Sequence, residues 1–188
     1  MNMQAEEQTI LGIDPGTNIM GYGVIIFKNN KLSLVSMGAL KFTSQGDQLL
    51  RLKNIFDSVV DIIEKYNPDN MAIESPFFGK NVQSMLKLGR AQGVAIAAAM
   101  FKNIPVFEYS PRKVKMAITG KGSASKEQVA AMLHHLIPFD NEQKQLDASD
   151  ALGIAICHHL QGKRPAGEKS YSGWEMFLKK NANRIIPQ

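Results

Sequence analysis

Four carboxylates in this 188-residue chain, Asp14, Glu74, Asp147 and Asp150, stand where apolar segments end or begin. Asp14 closes the run T-I-L-G-I-D, Glu74 closes N-M-A-I-E, and Asp147 and Asp150 open D-A-S-D-A-L-G-I-A-I. If those segments pack side by side, several negative charges crowd one cleft. Each then raises its neighbour's pKa unless a divalent cation neutralises them. A metal site is the natural reading. Two Mg²⁺ ions held by carboxylates are the usual apparatus for displacement at a phosphodiester, so the quartet points to a nuclease.

Singly, each residue has a plainer explanation. Asp14-Pro15-Gly16 is a common turn sequence, in which Asp accepts backbone hydrogen bonds, Pro fixes φ and Gly relieves strain. Glu74 could be the first residue of a buried strand to reach water, although ligands in α/β sheets do gather at the carboxyl ends of strands. Asp147 and Asp150 lie three apart, on one helix face, and could serve as an N-cap and a first-turn charge. The combination carries more weight, because it needs a common position in space.

The elements that must supply that position are legible in outline. Thr9–Ile13 and Gly21–Phe27 read as strands joined by a turn, and Asn29-Asn30 turns the chain into a third strand, Leu32–Phe42. Short connections between the three imply an antiparallel meander. Leu49, Leu52, Phe56, Val59, Ile63 and Tyr66 recur at three- and four-residue steps, the mark of an amphipathic helix that Pro68 ends. Met71–Glu74 is a fourth strand, 82–101 a second helix and Val106–Tyr109 a fifth strand, a parallel crossover pattern. Ser125 with Gln128 signals a capped helix through Ile137, and Asp147 opens the last one through Leu160. The expected fold class is α/β: a five-stranded mixed sheet, three antiparallel strands followed by two parallel ones, flanked by helices. Strands one and four would be parallel neighbours, each delivering a carboxylate at the same end.

Length and composition suit one domain, 1–161, followed by a basic, partly disordered tail, 162–188. Hydrophobic residues at 44% and charged residues at 21% indicate neither disorder nor a membrane span. The start, Met1 to Glu7, has neither a basic stretch nor an apolar one, so no signal peptide is expected. A single cysteine, Cys157, excludes an internal disulfide, and the cytoplasm is the expected location. The net charge of +5 is unevenly placed: residues 80–126 carry nine Lys/Arg against one Asp/Glu, whereas 127–161 carry one against five. A basic surface beside an acidic cleft suits a protein that draws phosphates toward a metal site, and a solvated lysine-rich face would look the same. The pairs His134-His135 and His158-His159 are poor metal candidates, since adjacent helical residues point in different directions. They are expected at the surface or at helix ends.

From residue 9 to 160, in order, the chain resembles the RuvC family of bacterial Holliday-junction resolvases, with its RNase H-like nuclease fold. The likeness runs through I-L-G-I-D-P-G-T at Ile10–Thr17, G-Y-G-V at Gly21–Val24, A-I-E at Ala72–Glu74 with Phe77, and A-Q-G-V-A-I at Ala91–Ile96. It continues in P-V-F-E-Y at Pro105–Tyr109, Val114-Lys115, G-S-A at Gly122–Ala124 with Lys126, and D-A-S-D-A-L at Asp147–Leu152.

The resemblance implies that Asp14, Glu74, Asp147 and Asp150 bind two Mg²⁺ ions, with Mn²⁺ a possible substitute. It implies that Lys115 and Lys126 face DNA phosphates and that Phe77 is the aromatic at the unstacked junction centre; Lys80, close to Phe77, is a further candidate DNA contact. Ser75-Pro76 departs from the bulkier residues common there, and proline would stiffen the loop that carries Phe77. Four-way junction DNA is the implied substrate, cut by paired symmetric nicks that leave 5′-phosphate ends. The implied assembly is a homodimer supplied by a branch-migration complex, with no membrane association. Gly89, Gly93 and Ala97, four apart on helix two, would form a dimer seam or pack on the chain's own sheet.

Two rivals are an actin-like or sugar-kinase-like ATPase and a catalytically silent junction-binding protein. The first shares the Asp14–Thr17 loop but needs two related domains and a second phosphate loop. The second needs only the basic segment, and would gain nothing from clustered carboxylates that cost stability.

Overall fold

A computed structural model describes residues 7–42, 47–75, 81–138 and 146–162. Five strands and five helices follow in the order β1 (Gln8–Asp14), β2 (Ile19–Lys28), β3 (Lys31–Lys41), α1 (Gln48–Tyr66), β4 (Asn70–Glu74), α2 (Val82–Phe101), β5 (Val106–Tyr109), α3 (Pro111–Thr119), α4 (Lys126–Leu136) and α5 (Leu146–Gly162). The sheet order is β3-β2-β1-β4-β5. Strands β1, β2 and β3 form the antiparallel meander, turned at Asn29 and Asn30, both at positive φ. The pairs β1–β4 and β4–β5 are parallel.

Alternation along the strands sorts side chains between two cores. Leu11 and Ile13 of β1 and Met71 and Ile73 of β4 pack on the face covered by α1 and α2, with Ile55, Val59 and Ala95. Ile10 and Ala72 belong to the opposite face, with Leu152 and Ala155 of α5 and Val114 of α3. The two-residue period therefore assigns Asp14 and Glu74 to the α5 face. Register places them side by side, since Ile13 pairs with Ile73.

Helix α5 lies unusually close to that face because β1 and β2 lack side chains beneath it. A Cβ on Gly12 would sit 2.1 Å from the Ala151 carbonyl oxygen, and one on Gly21 would sit 2.0 Å from that of Asp147. Glycine is the residue that lets the helix backbone rest on the sheet. The start of α5 is thus set against the end of β1, where Asp14 is paired across to Gly21.

Three sequence expectations change. Helix α3 was not anticipated; Ser110 caps it, Pro111 occupies its first turn and Gly120, at φ 72°, ends it. Leu49 is 77% exposed, and the buried stripe of α1 is Ile55, Val59, Ile62 and Ile63. Helix α5 begins at Leu146, so Asp147 is a first-turn charge rather than the N-cap. The expected capping box is present at Ser125 and Gln128. Among the described residues, no helix is long and apolar enough to cross a membrane.

Candidate active site

Asp14 and Glu74, at the carboxyl ends of β1 and β4, share a cleft of about 350 Å³ with Asp150, Lys115 and Lys126. Each element contributes for a local reason. Apolar runs form β1 and β4 and leave a carboxylate at the last strand position. The capped start of α4 presents Lys126, and the Ser110-Pro111 start of α3 sets Lys115 on the wall. The first turns of α5 bring Asp147 and Asp150, whose negative charge is favourable at a helix N-terminus.

The carboxylates feel one another strongly. Asp14 is pushed up to about 7, first by burial and then by the charges of Glu74, Asp150 and Asp147, with Lys126 pulling the other way. Glu74 is also raised, by burial and then Asp150, while Lys126 and Lys115 oppose the rise. Lys126 donates from Nζ to Asp150 Oδ2 at 2.9 Å, and that bond holds its ammonium above the usual lysine range. Asp147 acts on Asp14 through its field but does not line the cleft.

The donor set fits hard divalent cations, because all four groups are carboxylates and the crowded negative charge is what an ion would neutralise. Among the described residues, however, no three His, Cys, Asp or Glu side chains are gathered closely enough to hold an ion as they stand. The carboxylates are within Coulombic reach of one another without their oxygens converging on one point. Lys126 supplies part of the missing positive charge. Replacing it with an isosteric neutral residue is therefore expected to drive Asp14 further up. In ion-free protein, carboxyl ¹³C NMR of Lys126→Met should place the Asp14 midpoint above about 7; an unchanged midpoint would remove Lys126 from the electrostatics of the site.

The structure brings together Asp14, Glu74, Asp150, Lys115 and Lys126 and sets Asp147 beside them. Phe77 and Lys80 lie outside the described residues. Sequence reasoning missed Gln92, which is 6% exposed and lines a narrow hollow with Asp14 and Glu74 on the α2 side. Its Nε2 donates to Glu108 Oε2 at 2.7 Å. An available signal was its place next to Ala91 and one turn before Ala95, on a helix face otherwise made of small apolar residues.

The expectation for His158 and His159 is the surface or a helix end; His159 does lie in the last turn of α5, but neither is at the surface. They are 8% and 5% exposed, because the second half of α5 is enclosed by the sheet and α3. Tyr109 Oη and His158 Nδ1 are 2.8 Å apart, Phe107 and Phe27 pack on the two imidazoles, and burial holds His158 below the usual histidine range. The pair is structural, and His134 and His135 sit near the end of α4 as expected.

Comparison with known proteins gives a consistent relationship. Residues 10–158 match the family described as crossover junction endodeoxyribonuclease RuvC. The RuvC of Bacteroides fragilis is 54% identical over 98% of this chain and 100% of its own length. That of Cytophaga hutchinsonii is 52% identical over 95% of this chain and 88% of its own. The solved structure of T. thermophilus RuvC in complex with a Holliday junction substrate superposes with a TM-score of 0.77 at 31% identity, covering 82% of this chain and 94% of that one. The shared architecture is the RNase H-like fold. With five strands in the expected order, carboxylates at adjacent strand ends, a family match over residues 10–158 and relatives matched over most of both chains, the chain belongs to the RuvC family of crossover junction endodeoxyribonucleases.

Proposed function

We propose that this protein is a Holliday-junction resolvase that cuts four-way DNA by paired, symmetric, divalent-metal-dependent nicks and leaves 5′-phosphate ends. The observation that carries the reading is the meeting of Asp14, Glu74 and Asp150 from three separate elements in one cleft walled by Lys115 and Lys126. Asp14, Glu74, Asp147 and Asp150 would hold the ions, with Mg²⁺ the proposed metal and Mn²⁺ a substitute. A bound pair of such ions supplies activation of the attacking water and stabilisation of the leaving 3′ oxygen.

The chain's own residues do the rest. Lys115 and Lys126 put positive charge where the phosphate gains negative charge in the transition state. Asp14 and Glu74 are half-buried, and the lower local dielectric strengthens the interactions of those charges. Phe77 and Lys80, outside the described residues, remain proposed contacts to the junction centre and to a phosphate.

A junction has two-fold symmetry, and two matched cuts call for a homodimer. Helix α2 supports a seam. Its own sheet and α1 take up Ala91, Ala95, Ala98 and Ala99, while a Cβ at Gly89 or Gly93 would meet nothing within 4 Å, and Val82 and Leu86 are exposed on the same side. Delivery by a branch-migration complex, a cytoplasmic location, and the division into a nuclease domain, 1–161, and a basic tail, 162–188, belong to the same proposal.

The discriminating assay compares four-way junction, flap, RNA/DNA hybrid and linear duplex in the presence of Mg²⁺. Junctions should be nicked at symmetric positions, with rates on the order of 10²-fold above duplex, as expected when specificity comes from positioning at the site. Binding of junctions without cutting in either Mg²⁺ or Mn²⁺ would favour a silent binding protein. Equal cutting of all four substrates would remove the junction selectivity.

A further inference from the structure

We infer that a second cavity, next to the carboxylate cleft, binds a backbone phosphate of the DNA strand that enters the cleft. The inference rests on the reading of the protein as a junction nuclease. The cavity measures about 540 Å³ and is lined by Thr17, Asn18, Gln48, Arg51, Lys87 and Leu88, among others. It forms where the β1–β2 loop meets the first turns of α1 and α2. Among the described residues, the charged ones in its wall, Arg51 and Lys87, are cations.

The wall is rich in donors. Arg51 Nη1 donates to Asn18 Oδ1 at 2.8 Å, which steadies the guanidinium and leaves the Asn18 amide group to donate elsewhere. Among the described residues, the buried Gln48 Nε2 has no hydrogen-bond partner. A buried donor without an acceptor is costly, and a ligand that brings an acceptor relieves that cost. Helices α1 and α2 both start here; the Asp47 carboxylate offsets the partial positive end of α1, whereas α2 is capped by the neutral Asn81 and has no acidic residue in its first turn. Asp47, the α1 cap, accepts from the Leu49 and Leu50 amides at 2.8 and 3.1 Å and is not part of the cavity wall. Two cations, the hydroxyls of Thr17 and Ser84 and the orphan Gln48 donor suit a group with several anionic acceptor oxygens.

Continuity with the cleft selects DNA over a free anion. Leu88 lines both this cavity and the narrow hollow that contains Asp14 and Glu74, and those two carboxylates also line the cleft. Lys126 and Asp150, then Asp14 and Glu74, then Lys87 and Arg51 thus line a row of adjoining hollows, the track inferred for the strand. A strand held at both ends of that track has its scissile phosphate fixed in register, which is how phosphate contacts position a nucleic acid.

Binding of the full-length protein to a four-way junction, with Ca²⁺ in place of Mg²⁺, tests the inference. Neutral methylphosphonate linkages are moved one nucleotide at a time away from the cut site. Wild-type affinity should drop at one linkage outside the cleft. Lys87→Gln should weaken binding, lower the slope of log affinity against log salt by about 1, and become insensitive to that same linkage. Gln48→Met removes the orphan donor without leaving an unpaired group, so it should weaken junction binding while urea melts show stability retained.

Wild-type affinity and salt slope in Lys87→Gln, or no linkage to which the wild type alone responds, would overturn the inference. So would inorganic phosphate raising the melting temperature through Lys87 while every methylphosphonate junction binds normally, since that assigns the cavity to a free anion. Failure of the wild type to bind or cut junctions would instead defeat the reading on which the inference rests, and it would be seen without any variant.

Discussion

Asp14→Asn is expected to abolish junction cutting, by on the order of 10³-fold or more, while leaving junction binding in place. Asp14 sits at the end of β1 beside Glu74 and within the field of Asp150 and Asp147, so it is the most central of the four carboxylates. Asparagine keeps the shape and removes the charge that a divalent ion would need. The same variant should be more stable than the wild type in metal-free buffer at alkaline pH. Burial and its neighbours raise Asp14 from 3.8 to about 7 in the folded protein. A carboxyl group raised in this way favours folding most below its unfolded value, and that advantage drains away as pH climbs through about 4 to 7. Above that window, the folded state holds an unwelcome charge costing on the order of 2–4 kcal/mol.

Urea melts at pH 5 and pH 8 should therefore diverge for the wild type and much less for Asp14→Asn. Joint loss of cutting, binding and stability in the variant would mean that Asp14 holds the turn at Pro15 rather than serving the chemistry.

Gly21→Ala tests whether the carboxylates depend on the close seating of α5. The new Cβ would lie 2.0 Å from the Asp147 carbonyl oxygen and 2.6 Å from its carbonyl carbon. Both are backbone atoms and cannot rotate away, so the helix start must lift by roughly an ångström or more to reach normal contact. The overpacking should cost about 1–3 kcal/mol. Displacing Asp147 and Asp150 from Asp14 should lower the cleavage rate at saturating junction by about 10²-fold. A variant that melts like the wild type and cuts at the wild-type rate would show that the seating of α5 does not set the site.

The five strands, α1, α2 and the capping box of α4 were legible because local patterns and tertiary demands agree there. The β1–β4 pairing followed from connection lengths, and with it the meeting of Asp14 and Glu74. Helix α3 escaped because its nine residues bury only Val114 and Ile118, too few to display a helical period, although Ser110, Pro111 and Gly120 marked its ends. Leu49 looked like core by spacing, yet it falls in the first turn of α1, ahead of the stretch that the sheet covers.

His158 and His159 misled for the opposite reason. Their burial is decided by β5, β2 and α3, which supply Tyr109, the aromatic partners and the enclosing wall from distant parts of the chain. The glycines beneath α5 were visible as letters, but the close approach they permit is a property of the packed pair of elements. Gln92 shares the alanine face of α2, but that the face is buried, and that Glu108 partners it there, is decided only when α2 docks on the sheet.

The most direct measurement is anomalous diffraction from crystals of the protein–junction complex soaked in Mn²⁺. The expected map has two peaks per protomer, coordinated at about 2.1 Å by oxygens drawn from Asp14, Glu74, Asp147 and Asp150. A map with no metal among these four side chains, from crystals whose junction has nevertheless been cut, would contradict the shared-ion site.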